Sequence, residues 1–204
     1  MSFESVMPPY NASDPSARFL SASSLDFLLI ELVPMAYRIT AEVEAPSSSP
    51  GEDDAAGAGT ATRLDEDEER DAVFYRLESL GYRVGQGLVE RFSQNRPRFN
   101  DTLDVIKFLC KDLWTLVFRK QVDNLKTNHR GVYVLTDNSF RPFARMSTVT
   151  GGQAVVRAQP FLWFPCGVVR GALAAMGINA TVQAETSELP GAVFQIKTIP
   201  AKGA

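Results

Sequence analysis

The segment DAVFYRLESLGYRVGQGLVERFSQNRPRFNDTLDVIKFLCKDLWTLVF, Asp71–Phe118, constrains the chain most, because its apolar residues recur at three- and four-residue steps in three separate runs. Val73, Phe74, Leu77 and Leu80 predict a first helix over about 65–80, with Gly81 at the C-cap, where positive φ is favoured. Val84, Leu88, Val89 and Phe92 form the inward stripe of a second, with Gln86, Glu90, Arg91 and Gln94 facing water. Pro97 ends that helix, and Asn100 or Asp101 caps a third with the stripe Leu103, Ile106, Leu109, Cys110, Leu113, Leu116 and Val117. Such a run builds a core. It holds no cluster of groups able to do chemistry.

Ahead of it, Ser23 or Ser24 caps an opening helix to about Glu42, apolar at Leu25, Phe27, Leu28, Leu29, Ile30, Leu32, Val33, Met35 and Ile39. These positions go nearly all the way round, so such a helix needs cover on more than one side, from its own domain and from a second polypeptide. Pro34 predicts a kink or break within it. Behind the helical run, Gln121–Asn128 and Gly131–Thr136 read as strands, Phe140–Ala144 as an edge strand limited by Pro142, and 153–176 as a helix broken near Pro160 or Pro165 and capped by Gly177. Ala180–Ala184 and Val193–Ile199 make an antiparallel pair about a turn at 188–191. The sum is a single α+β domain in which four to five antiparallel strands pack on one side against four to five helices.

Residues 1–20, rich in Pro and Ser, read as a disordered tail, the domain spans 21–199, and 200–204 form a short C-terminal tail. The acidic, low-complexity stretch at about 45–64 reads as a disordered insert, too poor in apolar residues to offset the entropy of ordering. Nine acidic residues against Arg63 and Arg70 give the span from Glu44 to Arg70 a net charge of −7, leaving +4 for the rest. A mildly basic body permits peripheral contact with an anionic membrane, at about 1 kcal/mol per basic residue near the surface.

No stretch approaches 18 uncharged apolar residues, and the N-terminus lacks a basic region followed by an apolar block, so a cytoplasmic chain is expected. The sequons at Asn11, Asn100 and Asn179 then carry no meaning, and Cys110 and Cys166 are expected as reduced, buried thiols. His129, the only histidine, lies in a turn without partners, so no metal site, cofactor or catalytic residue is expected. Gly81, Gly85 and Gly87 follow no strand and precede no Lys-Ser or Lys-Thr pair; helix packing explains them better than a phosphate loop. Arg170, inside an apolar helix, either pairs with a carboxylate or reaches to the surface.

The strings LESLGYRVGQGLVERF and RPRFNDTLDVIKFLCKDLWTLVFRKQVDNLKTNHRGVYVL, with CGVVRGALAAMGINATVQAE downstream, resemble the small subunits of the transport protein particle (TRAPP), of the subunit-six type in the Bet-three superfamily. The resemblance covers about 24–44 and 69–199 and leaves 1–20 and 45–64 without counterpart. It implies a non-catalytic subunit that heterodimerises with a Bet-three-type partner and joins other TRAPP subunits. It also implies a Rab-type GTPase as indirect partner, residence at Golgi or ER-to-Golgi membranes, and no nucleic acid. Phe27, Leu28, Ile30, Leu32, Met35, Phe74 and Leu77 are the expected partner anchors. Sister Bet-three subunits carry a fatty-acylated cysteine where this chain has Arg96, three residues before Phe99, so no acyl chain is expected there and bulky side chains should fill the channel. The alternative function is a hydrophobic-ligand sensor of the same fold, with Val105, Phe108, Leu109, Trp163 and Val168 lining a cavity.

Overall fold

A computed structural model describes residues 21–44, 65–94, 96–128, 130–146 and 151–199. The readings of 1–20, the insert at 45–64, His129 and 200–204 lie outside the described residues. Helix α1, Ala22–Glu44, is followed by α2, Glu66–Ser93, and by α3, Thr102–Phe108. A π-helical turn, Leu109–Leu113, joins α3 to α4, Trp114–Phe118. Strands β1, Asn124–Thr127, and β2, Val132–Asp137, come next. Then follow a 3-10 turn Arg141–Phe143, α5 Gly151–Ala158, a second 3-10 turn Gln159–Leu162 and α6 Trp163–Ala175. Strands β3, Ala180–Glu185, and β4, Ala192–Thr198, complete an antiparallel sheet of order β1-β2-β4-β3. The α+β architecture is the expected one.

Four local readings are corrected. The helices expected on either side of Gly81 are one, α2, about 42 Å long at 1.5 Å per residue. Gly81 is not a cap. It lies with Gly85 against Gly167 and Gly171 of α6, where a Cβ on Gly81 would come within 2.1 Å of the Phe164 carbonyl oxygen and one on Gly85 within 2.1 Å of that of Val168. Gly87 is exposed with open space about it and takes no part in this packing. Pro34 does not end α1, which continues for ten residues beyond it. Phe140–Ala144 forms no strand. There the chain turns at Arg141–Phe143 so that Phe140 and Phe143 both enter the core.

Other readings hold. Asp101 caps α3, its Oδ1 accepting from the Asp104 amide at 2.8 Å. The wide turn at Leu109–Leu113 was not legible; it leaves the Cys110 carbonyl free to accept from the Val122 amide at 3.1 Å, which ties the helix to the approach of β1. The helix over 153–176 does break at Pro160, and Gly177, at φ +82°, follows its end.

Two cores result. In the larger, Trp114, Phe118, Phe140 and Phe194 pack ring against ring, with Trp114 edge-on to Phe194 at 5.1 Å, between the sheet and α3, α4 and α6. In the smaller, Leu32, Val33 and Ala36 of α1 meet Val73 and Leu77 of α2 and Trp163 at the start of α6.

Candidate partner interface

Helix α1 shares one stripe with its own domain. Leu32, Val33, Ala36 and Thr40 are buried, the Thr40 hydroxyl donating to the Ala36 carbonyl at 2.9 Å. Its N-terminal turn is tied down by Arg141, whose Nε donates to Asp26 Oδ1 at 3.0 Å and Nη2 to Oδ2 at 3.3 Å; those bonds hold the Asp26 carboxyl below its usual range. Much of the remaining surface of α1 is uncovered. Phe27 is 69% exposed, Leu28 58% and Ile30 46%, and Ile39 and Val43 are exposed as well.

Of the seven expected anchors, Phe27, Leu28, Ile30 and Phe74 are exposed and Met35 is half-buried. Leu32 and Leu77 are corrected: they lie in the smaller core and hold the helical pair to its own domain. With apolar residues nearly all round α1, periodicity could not tell the inward stripe from the outward one. Tyr75, beside Phe74, is 71% exposed and adds to the apolar surface here; a tyrosine outside the helical stripe gives no signal by spacing. Phe74 sets its ring edge-on to Trp163 at 5.7 Å, half anchored and half free.

Between α1 and α2 runs a groove of about 640 Å³. Met35 and Ile39 form one wall and Tyr75, Arg76, Leu80 and Arg83 the other, with Arg170 of α6 at the side. Arg170 is paired. Its Nη2 donates to Glu78 Oε2 at 2.6 Å and its Nε to Oε1, and the guanidinium stacks 4.4 Å from the Tyr82 ring centroid. The bond to Glu78 raises the Arg170 pKa. Arg76 is not so served, for its Nε is buried and makes no hydrogen bond.

Elsewhere the candidate chemistry resolves into packing. Burial pushes the thiols of Cys110 and Cys166 up to about 12, aided at Cys166 by the charge of Glu78. At pH 8 both should resist a thiol reagent in the native chain, and both should react at once in denaturant; a native protein that releases one equivalent of thiol would contradict this burial. Arg96 pairs with Asp112 at 2.6 Å and lies 4.7 Å from the Phe108 ring centroid, with Phe99 stacked at 5.4 Å on Phe108. An ion pair and two aromatic rings surround this position. Val105, Phe108, Leu109 and Val168 pack into the larger core, whereas Trp163 belongs to the smaller, so the five residues considered for a ligand cavity do not converge. Among the described residues, no group of three or more His, Cys, Asp or Glu side chains could hold a metal ion.

A helical layer on an antiparallel sheet, with exposed apolar residues on the outer side of its first two helices, makes a Bet-three-like fold. The chain belongs to the transport protein particle (TRAPP) component family, whose description matches residues 25–199. It is 54% identical over 121 residues to zebrafish (Danio rerio) trafficking protein particle complex subunit 6b, covering 59% of this chain and 76% of that protein. It is 52% identical to human subunit 6B over the same length, covering 59% and 75%. An uncharacterised Schizosaccharomyces pombe protein is 39% identical over 181 residues, 89% of this chain and 65% of that one. The fold matches the crystal structure of trafficking protein particle complex subunit 3 from Naegleria fowleri covalently bound to palmitic acid, with a TM-score of 0.60 at 12% identity, over 90% of this chain and all of that one. The chain is therefore a trafficking-particle subunit of the subunit-six type.

Proposed function

We propose that this chain is a scaffold subunit of a TRAPP particle that heterodimerises with a Bet-three-type subunit through the outer face of α1 and α2. In this role it supplies surface rather than catalysis. The assembly it completes would tether vesicles in ER-to-Golgi and Golgi transport and promote nucleotide exchange on a Rab-type GTPase. The observation that carries this reading is the run of exposed Phe27, Leu28, Ile30, Phe74 and Tyr75 on adjoining helices, since grouped apolar side chains left in water mark interaction surfaces. The relatives, each named as a subunit of a trafficking complex, support it. Membrane association is peripheral in this reading: no helix among the described residues is long and apolar enough to cross a bilayer. Arg96, paired with Asp112 beside Phe99 and Phe108, offers no thiol for acylation at this position, so in this reading contact with lipid runs through the partners.

Phe27→Asp with Phe74→Asp should weaken association with a purified Bet-three-type subunit at least a hundredfold, about 2.7 kcal/mol, while the chain stays folded. Because Phe74 also braces Trp163, Phe27→Asp with Leu28→Asp serves as a second variant on two exposed positions. Complexes of unchanged amount on gel filtration with both variants would refute the interface.

A further inference from the structure

We infer that the α1–α2 groove reads a carboxylate: it takes an Asp or Glu side chain presented by an apolar helix of the partner subunit, held by Arg76 and Arg83. This rests on the proposed heterodimer face and says what chemistry that face selects. Among the described residues, Arg76 Nε is the one buried side-chain nitrogen or oxygen without a hydrogen-bond partner. That nitrogen is sealed within the chain, so a bound carboxylate would meet the terminal amino groups of the same guanidinium, which is half-buried on the groove wall and has no hydrogen-bond partner among the described residues. The groove is lined by three arginines and no acidic side chain. Glu78 serves Arg170, while Arg76 and Arg83 have no ion-pair partner among the described residues.

Arg76 and Arg83 are seven residues apart on α2, two turns on one face and about 10 Å along the axis. Both side chains are long enough to close on one carboxylate lying over Leu80. Met35, Ile39 and Leu80 would exclude water from that contact, which strengthens a matched charge and penalises a neutral or basic one. A second copy of this chain is a poor occupant, since a two-fold pairing through this face would bring arginine-lined grooves together.

The test compares Arg76→Met, Arg83→Met and wild type for binding to a purified Bet-three-type subunit at low and high salt. Arg76→Met should weaken binding tenfold to a hundredfold and flatten the salt dependence. The isolated variant should melt no lower than wild type, because the change removes an unpaired buried donor; a merely structural arginine would lower the melting temperature instead. Charge exchange adds specificity, since binding lost in Arg76→Glu should return with an Asp→Arg or Glu→Arg change at one position of the partner. Wild-type affinity and salt slope in folded Arg76→Met would overturn the inference and leave the heterodimer standing. Failure of the wild-type chain to bind at all would sink both. Tighter binding after deletion of 46–62 would assign the groove to this chain's own acidic segment and overturn the inference as stated.

Discussion

Gly171→Ala is expected to leave the chain without a stable fold. A Cβ at this position would meet the Tyr82 carbonyl oxygen at 1.9 Å and the Tyr82 carbonyl carbon and Cα at 2.7 and 2.8 Å. All three are backbone atoms of α2, so no side-chain rotation can relieve the overlap. The helices would have to part by more than an ångström along the seam where Gly81 and Gly85 face Gly167 and Gly171. That opens the contact on which both cores are built. A cost on the order of 4 kcal/mol or more is expected, set against a total stability of about 5–15 kcal/mol. Gly85→Ala, which meets the Val168 carbonyl oxygen at 2.1 Å, should behave alike. Gly87→Ala is the control: it lies exposed in the same helix with nothing within 4 Å, so it should gain up to about 1 kcal/mol from helix propensity. Urea titrations followed by far-ultraviolet circular dichroism would check all three, and a Gly171→Ala chain unfolding within half a molar of wild type would refute the close seam.

The same seam explains where the sequence was legible and where it misled. Gly81 follows a helix-spaced run and looks locally like a terminator; only the neighbouring glycines of α6, 86 and more residues away, give it a reason to sit inside a helix. Phe140–Ala144 was misread for a related reason, since two aromatic residues in a short run resemble a strand until the core that receives both rings is known. Strands β2, β3 and β4 are legible from their β-prone residues, and burial alternates along them in the fold. Arg170 was recognised as needing an answer. Its partner, Glu78, lies on another helix and could not be named by spacing alone.

For the proposed interface, the sequence carries the surplus of apolar residues on α1 but not its direction. The inward stripe Leu32–Val33–Ala36 and the outward residues Phe27, Leu28 and Ile30 are equally apolar, and only the position of α2 separates them. The arginines of the groove gave no signal, because an arginine on a helix is ordinarily solvated. What marks Arg76 is burial of its Nε, a property of the fold.

Asp137→Ala is expected to cost about 3–5 kcal/mol, because it removes one acceptor from three donors at once and leaves the buried Trp114 Nε1 with no partner. Asp137 is the last residue of β2, and its side chain is fully buried. Its Oδ2 accepts from Trp114 Nε1 at 2.9 Å, and its Oδ1 from Lys120 Nζ at 2.6 Å and from the Ser139 amide at 3.0 Å. Lys120 also donates to Asp123 at 2.7 Å, and the same Asp123 oxygen accepts from the Asn138 amide. One carboxylate thus pins α4, the approach to β1 and the turn after β2 to a single point, with the indole of the central core residue as its deepest ligand. With a urea slope of about 2 kcal/mol per molar, the midpoint should fall by about 2 M. Asp137→Asn keeps an acceptor for Trp114 and should lose roughly half as much. A shift below half a molar in Asp137→Ala would mean that the network adds little beyond its packing. The site belongs to the larger core, so the fraction of Asp137→Ala that remains folded should bind a partner with unchanged affinity. Arg76→Met should do the reverse, and the pair of variants separates what holds the chain together from what it holds on to.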